Sequence, residues 1–81
     1  MVKFYPNPAT SVINFELQRS ADKSATLQLF NFMGKKVYEA VPGTQERMIV
    51  SLDGFFRGVY IYQLRDKFGQ IIDSGKFQVV K

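Results

Sequence analysis

The feature that most constrains this chain is a two-residue rhythm of apolar side chains. In "SVINFEL", Ile13, Phe15 and Leu17 fall on one side and Asn14 and Glu16 on the other. "SATLQLFN" repeats the rhythm with Ala25, Leu27 and Leu29, "RMIVSL" with Met48, Val50 and Leu52, and "KFQVVK" with Phe77 and Val79. A period of two sends successive side chains to opposite faces of an extended strand, so each segment has one face to bury and one to leave in water. The β-branched and aromatic residues that fill these segments suit a pleated, half-buried surface. No stretch holds the spacing of an amphipathic helix. "GVYIYQL" is apolar on both alternations (Val59 and Ile61; Tyr60, Tyr62 and Leu64), which predicts a strand in the middle of its sheet.

Turn residues interrupt the rhythm at short intervals. Gly34 in "NFMGKK" and Gly69 in "RDKFGQ" fall where a hairpin needs positive φ. "VPGTQ" carries the Pro-Gly pair of a type II turn, "LDGFFRG" has two glycines, "QRSADKS" is polar, and "DSG" reads as a bulge inside the last strand. Strands are predicted over residues 2–5, 11–17, 24–30, 35–40, 47–52, 59–65 and 70–81. Seven short strands with turns between them predict an all-β fold, a small immunoglobulin-like antiparallel β-sandwich with no helix. The 81 residues form one domain, 1–81, and a hydrophobic content of 46% is enough for a single core. The abrupt start, with no secretion leader, reads as a domain excised from the end of a larger secreted protein.

Composition removes whole classes of chemistry. The chain has neither cysteine nor histidine, so disulfides, thiol or Ser-His hydrolysis and the common zinc motifs are out of reach. The seven carboxylates (Glu16, Asp22, Glu39, Glu46, Asp53, Asp66 and Asp73) fall mostly at turns or on polar strand faces, without the facing pair a glycosidase needs or the close spacing of a calcium loop. No catalytic residue, cofactor site or metal site is predicted. The net charge of +4 comes from scattered basic residues, with Lys35-Lys36 the one adjacent pair, which reads as a solvated surface. "RGVYIY" echoes an RNA-binding sequence pattern, but that module needs two helices, so no nucleic-acid partner is expected. No apolar run approaches the length of a membrane helix, and no direct membrane insertion is expected.

"YPNP" stands apart. Each proline fixes its own φ, biases the residue before it to extended geometry and lacks an N–H for a ladder. Tyr5, Pro6, Asn7 and Pro8 therefore make a stiff corner ahead of the strand at Ser11, with Asn7 placed to bond its local backbone and start a turn.

Four landmarks in order, "YPNP", "LQLFNFMGKKV", "LDGFFRGVYIYQL" and "GKFQVVK", resemble the type A C-terminal sorting domain of the type IX secretion system across nearly the whole chain. The middle block matches at Leu27, Leu29, Asn31, Gly34, Lys35 and Val37. Departures are Phe55, where the family usually has leucine three residues before the glycine, and Gln78, where many members are apolar; they leave the register of the last strand open. The resemblance implies a secretion signal that directs a cargo protein, N-terminal to it, across the outer membrane of a Gram-negative bacterium. It implies transit through the periplasm, arrival at the cell surface or outside the cell, translocon and sortase components as partners, removal by a surface sortase, and no active site in the domain. The positions it marks for recognition are Tyr5, Pro6, Asn7, Pro8, Gly34, Gly58, Val59, Tyr60, Lys76, Phe77, Val79, Val80 and Lys81, with the ammonium groups of Lys76 and Lys81 expected to stand in water. The alternative reading is a passive immunoglobulin-like spacer or carbohydrate-binding module of a surface enzyme, with Tyr38, Phe55, Phe56 and Phe68 as candidate sugar platforms.

Overall fold

The computed structural model describes residues 2–17 and 24–81. Its seven strands are β1 (Lys3–Tyr5), β2 (Val12–Glu16), β3 (Thr26–Asn31), β4 (Lys36–Ala40), β5 (Arg47–Ser51), β6 (Gly58–Arg65) and β7 (Ile71–Val79). Each lies within a residue or two of its predicted bounds, and no helix occurs among the described residues. The polar break at residues 18–23 lies outside them.

Two antiparallel sheets face each other. One has the order β1-β2-β5 and the other β4-β3-β6-β7. β6 sits between β3 and β7, as its two apolar faces require. The alternation fixes what is buried. Ile13, Phe15, Leu27, Leu29, Val50, Leu52, Phe77 and Val79 are the largest fully enclosed side chains. Each contributes on the order of 1.5–3 kcal/mol through burial. An aromatic cluster fills the centre: Tyr62 meets Phe4 and Phe15 edge-on at 5.3 and 5.4 Å between ring centroids, and Tyr60 stacks on Phe77 at 5.7 Å. Such pairs add about 0.5–1.5 kcal/mol beyond their burial.

Two hairpins share one piece of chemistry. In Asn31-Phe32-Met33-Gly34-Lys35 the Asn31 side-chain oxygen accepts the N–H groups of Met33 and Lys35, at 3.0 and 2.9 Å. In Asp66-Lys67-Phe68-Gly69-Gln70 the Asp66 carboxylate accepts those of Phe68 and Gln70, both at 2.9 Å. The fourth residue is glycine in both because φ is +85° at Gly34 and +82° at Gly69, a region in which a Cβ is strained.

Two local expectations need correction. The Pro-Gly turn is displaced by one residue: the hydrogen bond runs from Gln45 N–H to the Pro42 carbonyl, so Pro42 opens the turn and Gly43 (φ +64°) takes its second position. The bulge in β7 falls at Ile72 rather than in "DSG", since Leu64 pairs with Asp73 while Arg65 pairs with Ile71. Gly75 instead lies in register opposite Tyr62, and an added Cβ would come within 2.6 Å of the Tyr62 ring. Glycine is needed there for the close approach of an aromatic ring, and that pairing settles the register of the last strand.

Candidate recognition surface

The stiff corner does more than turn the chain. After β1, Pro6, Asn7 and Pro8 carry the backbone out of the first sheet to the edge of the second. Both X-Pro bonds in the corner are cis. Ala9, fully buried, then forms a parallel bridge with Val79. The Ala9 N–H donates to the Gln78 carbonyl and the Val80 N–H donates to the Ala9 carbonyl, both at 2.8 Å. The Asn7 side-chain oxygen accepts the Gln78 N–H at 3.0 Å. Asn7 thus bonds a strand 71 positions away in sequence, not the local backbone that its place in the sequence predicts. The chain re-enters the first sheet at Val12, so residues 6–10 stitch the two sheets together along one edge.

This stitch brings the first and last landmarks into one region. Gly58, Val59 and Tyr60 pair with Val79, Gln78 and Phe77 respectively, so the "RGVYIY" segment joins it. The Gly34 hairpin leaves β3 at the same end, because Asn31 pairs with Tyr60. Of the thirteen marked positions, Tyr60, Phe77 and Val79 are buried in the core and Val80 is half-buried. Tyr5, Pro6, Asn7, Pro8, Gly34, Val59, Lys76 and Lys81 are exposed, and Gly58 is partly so with φ +146°. Lys76 is exposed on the outer face of β7 and has no bonding partner among the described residues. Lys81 does not, contrary to the expectation for its ammonium group: Nζ donates to the Leu52 carbonyl at 2.6 Å. The Leu52–Phe55 turn is closed by its own 2.9 Å bond, so the terminal lysine is fastened to a defined loop. Lys81 lines two open hollows. One of about 320 Å³ is shared with Thr10, Ser11, Leu52 and Asp53, and one of about 470 Å³ is shared with Arg57, Gly58, Gln78, Val79 and Val80.

The polar groups at the edges are engaged structurally. Tyr5 hydroxyl donates to Glu16 at 2.5 Å, and Lys36 is paired with Glu39. The Asp73 carboxylate accepts the Val2 N–H at 2.6 Å. Burial first, and then the negative charge and hydrogen bond of Asp73, push the Tyr62 phenol above its ordinary range. The proposed sugar platforms do not line up: Tyr38 and Phe55 pack against the core, while Phe56 and Phe68 stand at opposite ends of β6. Tyr60 and Tyr62 point into the core, so neither ring offers a face for stacking a base.

A family model for the secretion system C-terminal sorting domain matches residues 3–79. The chain belongs to that family. This sorting domain is a C-terminal secretion signal of the type IX system, and such a signal is not itself catalytic. Cargo carrying one is exported to the cell surface or extracellular space of Gram-negative Bacteroidetes. The domain is also similar in fold to part of PorZ from Porphyromonas gingivalis, an essential surface component of the type-IX secretion system in that oral bacterium. That likeness has a TM-score of 0.77 at 18% identity and spans 99% of this chain but 11% of PorZ. No curated protein matches the chain.

The sequence did not point to the acceptors that hold the surface together: the Leu52 carbonyl, the Ala9 backbone and the paired Asn31 and Asp66 turns. A repeated Asn/Asp-x-x-Gly spacing was the available signal for the turns. Nothing in the sequence marks the Leu52 carbonyl.

Proposed function

We propose that the secretion machinery reads the sorting domain at the edge where residues 5–8, 58–60 and 76–81 meet, and that the stitch holds this surface in one geometry. The observation that carries the reading is the set of three hydrogen bonds joining Asn7 and Ala9 to Gln78 and Val80 across most of the chain's length. A signal carried by many unrelated cargoes needs a surface whose shape does not depend on what precedes it. Stiff prolines and a bridged edge supply that by lowering the ordering cost on binding. In this reading residues 1–81 are a single domain behind a cargo, recognised in the periplasm by translocon components and removed at the surface by a sortase. Family membership and the order of the four landmarks support these further steps.

The test is a reporter carrying a signal peptide at its N-terminus and this domain at its C-terminus, in a host with the type IX machinery. The wild-type fusion should reach the surface. Lys76→Ala should leave the melting curve almost unchanged, because the ammonium group is exposed and bonds none of the described residues, yet it should lower delivery. Lys81→Ala should cost both, through the lost bond to Leu52. A wild-type reporter retained in the periplasm with its domain folded refutes the sorting reading. Normal delivery of both lysine variants moves recognition to the corner at residues 5–8.

A further inference from the structure

The same end of the sandwich carries three large apolar side chains that the core does not use. Phe32 is 75% exposed, Met33 78% and Phe56 84%. Phe32 and Met33 are the two central residues of the Asn31 hairpin and project from its tip. Phe56 belongs to the loop between β5 and β6. Tyr60 links the two loops: its backbone pairs with Asn31, and its hydroxyl donates to the Phe56 carbonyl at 2.7 Å. Two cations flank the knob so formed. Lys35 follows the hairpin tip and Arg57 follows Phe56, and neither has a carboxylate partner among the described residues. Lys81 adds a third positive charge, against Asp53 as the one carboxylate of these loops.

We propose that this knob docks into a protein of the export machinery that presents an apolar hollow rimmed by carboxylates. The proposal rests on the sorting reading and names the chemistry of the partner. Charge complementarity argues for the acidic rim, and the continuity of the knob with the stitched edge argues for a shared partner. Rigidity argues for a pocket: the Asn31 side chain accepts the Met33 and Lys35 N–H groups, so the turn that presents Phe32 and Met33 is fixed before any partner arrives, which favours tight, specific docking. An anionic membrane fits less well. Lipid-binding patches gather about 4–8 cations, whereas here three cations face one carboxylate and the Lys81 ammonium is tied to a carbonyl.

The twin hairpin supplies the control. Phe68 is 78% exposed in a turn of the same construction at the opposite end, with the Lys67 ammonium over its ring at 5.2 Å. In the reporter fusion, the double change Phe32→Ser, Phe56→Ser and the double change Lys35→Glu, Arg57→Glu should each lower surface delivery about tenfold or more, the scale of losing one interface anchor. The purified domains should melt within about 4 °C of wild type, as exposed changes do in a domain of this size. Phe68→Ser should deliver normally. A photo-crosslinking phenylalanine analogue at position 32 should give one discrete protein adduct that the Lys35→Glu, Arg57→Glu background removes, and the analogue at position 68 should give none.

Full delivery of both double variants overturns the docking proposal and leaves the sorting reading standing. So does an equal loss from Phe68→Ser. Binding of the purified domain to phosphatidylglycerol vesicles that vanishes in the same variants, without a protein adduct, overturns it in favour of a lipid surface. Retention of the wild-type fusion in the periplasm defeats the sorting reading and the docking proposal together.

Discussion

Adding one methyl group at Gly75 should destabilise the whole sandwich. Gly75 does not require positive φ, so backbone considerations alone favour alanine there by about 0.4–1 kcal/mol through the unfolded state. Space forbids it. The new Cβ would lie 2.6 Å from Cε2 of Tyr62 and 3.0 Å from Cζ and the hydroxyl oxygen. Carbon atoms in contact prefer about 3.5–4.0 Å, so the overlap approaches an ångström. The ring has little room to retreat: it is 2% exposed, and Phe4 and Phe15 hold it edge-on. Overpacking of this kind costs about 1–3 kcal/mol. A domain of this length has about 4–12 kcal/mol in all. Gly75→Ala should therefore lower the melting temperature by about 5–20 °C at this size. Tyr62→Leu leaves a gap in the core on its own, and the Gly75→Ala methyl should partly fill it. The double variant should thus be more stable than the sum of the single losses by about 1 kcal/mol or more. A Gly75→Ala domain that melts at or above the wild-type temperature, or a strictly additive double variant, refutes the steric account.

Asn31→Ala removes the acceptor for two turn N–H groups and should cost about 1 kcal/mol by chemical denaturation, while Asn31→Asp, copying Asp66, should recover most of it. Asn7→Ala frees the Gln78 N–H and should cost about 0.5–1.5 kcal/mol, with faster amide exchange at Gln78 as the local readout. Phe77→Ala empties the space under Tyr60 and Phe15 and should cost about 3–5 kcal/mol in denaturant unfolding. The Tyr62 phenol is raised in the folded state, so its contribution is fully present below the unfolded value near pH 10 and is lost as pH climbs from there through the folded value. Alkaline titration of stability should show that loss in the wild type, and Tyr62→Phe should flatten it.

The strands and the core were legible because both depend on local pattern. Ile13 and Phe15, Leu27 and Leu29, Val50 and Leu52, and Phe77 and Val79 announce one buried face each by period alone, and the doubly apolar "GVYIYQL" announced its central place. What escaped is what depends on distant partners. A proline corner read in isolation yields a boundary; that Asn7 and Ala9 bond β7 follows only from two sheets meeting at that edge. Gly75 looked like part of a bulge because the ring that requires it is supplied by β6. Lys81 looked like a solvated charge because its acceptor is a backbone carbonyl, and carbonyls are the same at every residue. The recognition positions came from resemblance to a family; the rhythm of the chain marks Tyr60, Phe77 and Val79 as core and is silent on Lys76 and the corner.

The bond between Asn7 and Gln78 has a consequence in time. Synthesis runs at about 5–20 residues per second, so the corner waits roughly 4–14 s for a partner that lies 71 positions downstream. Until then the sandwich lacks an edge strand, two of its most enclosed side chains and the bridge between its sheets. A chain that ends early, by a premature stop or by proteolysis before Lys76, cannot form the stitched edge at all. The stitched edge therefore forms only in a chain that extends through Gln78 and Val80, and a receptor that grips that edge would leave shorter products behind without any separate inspection step.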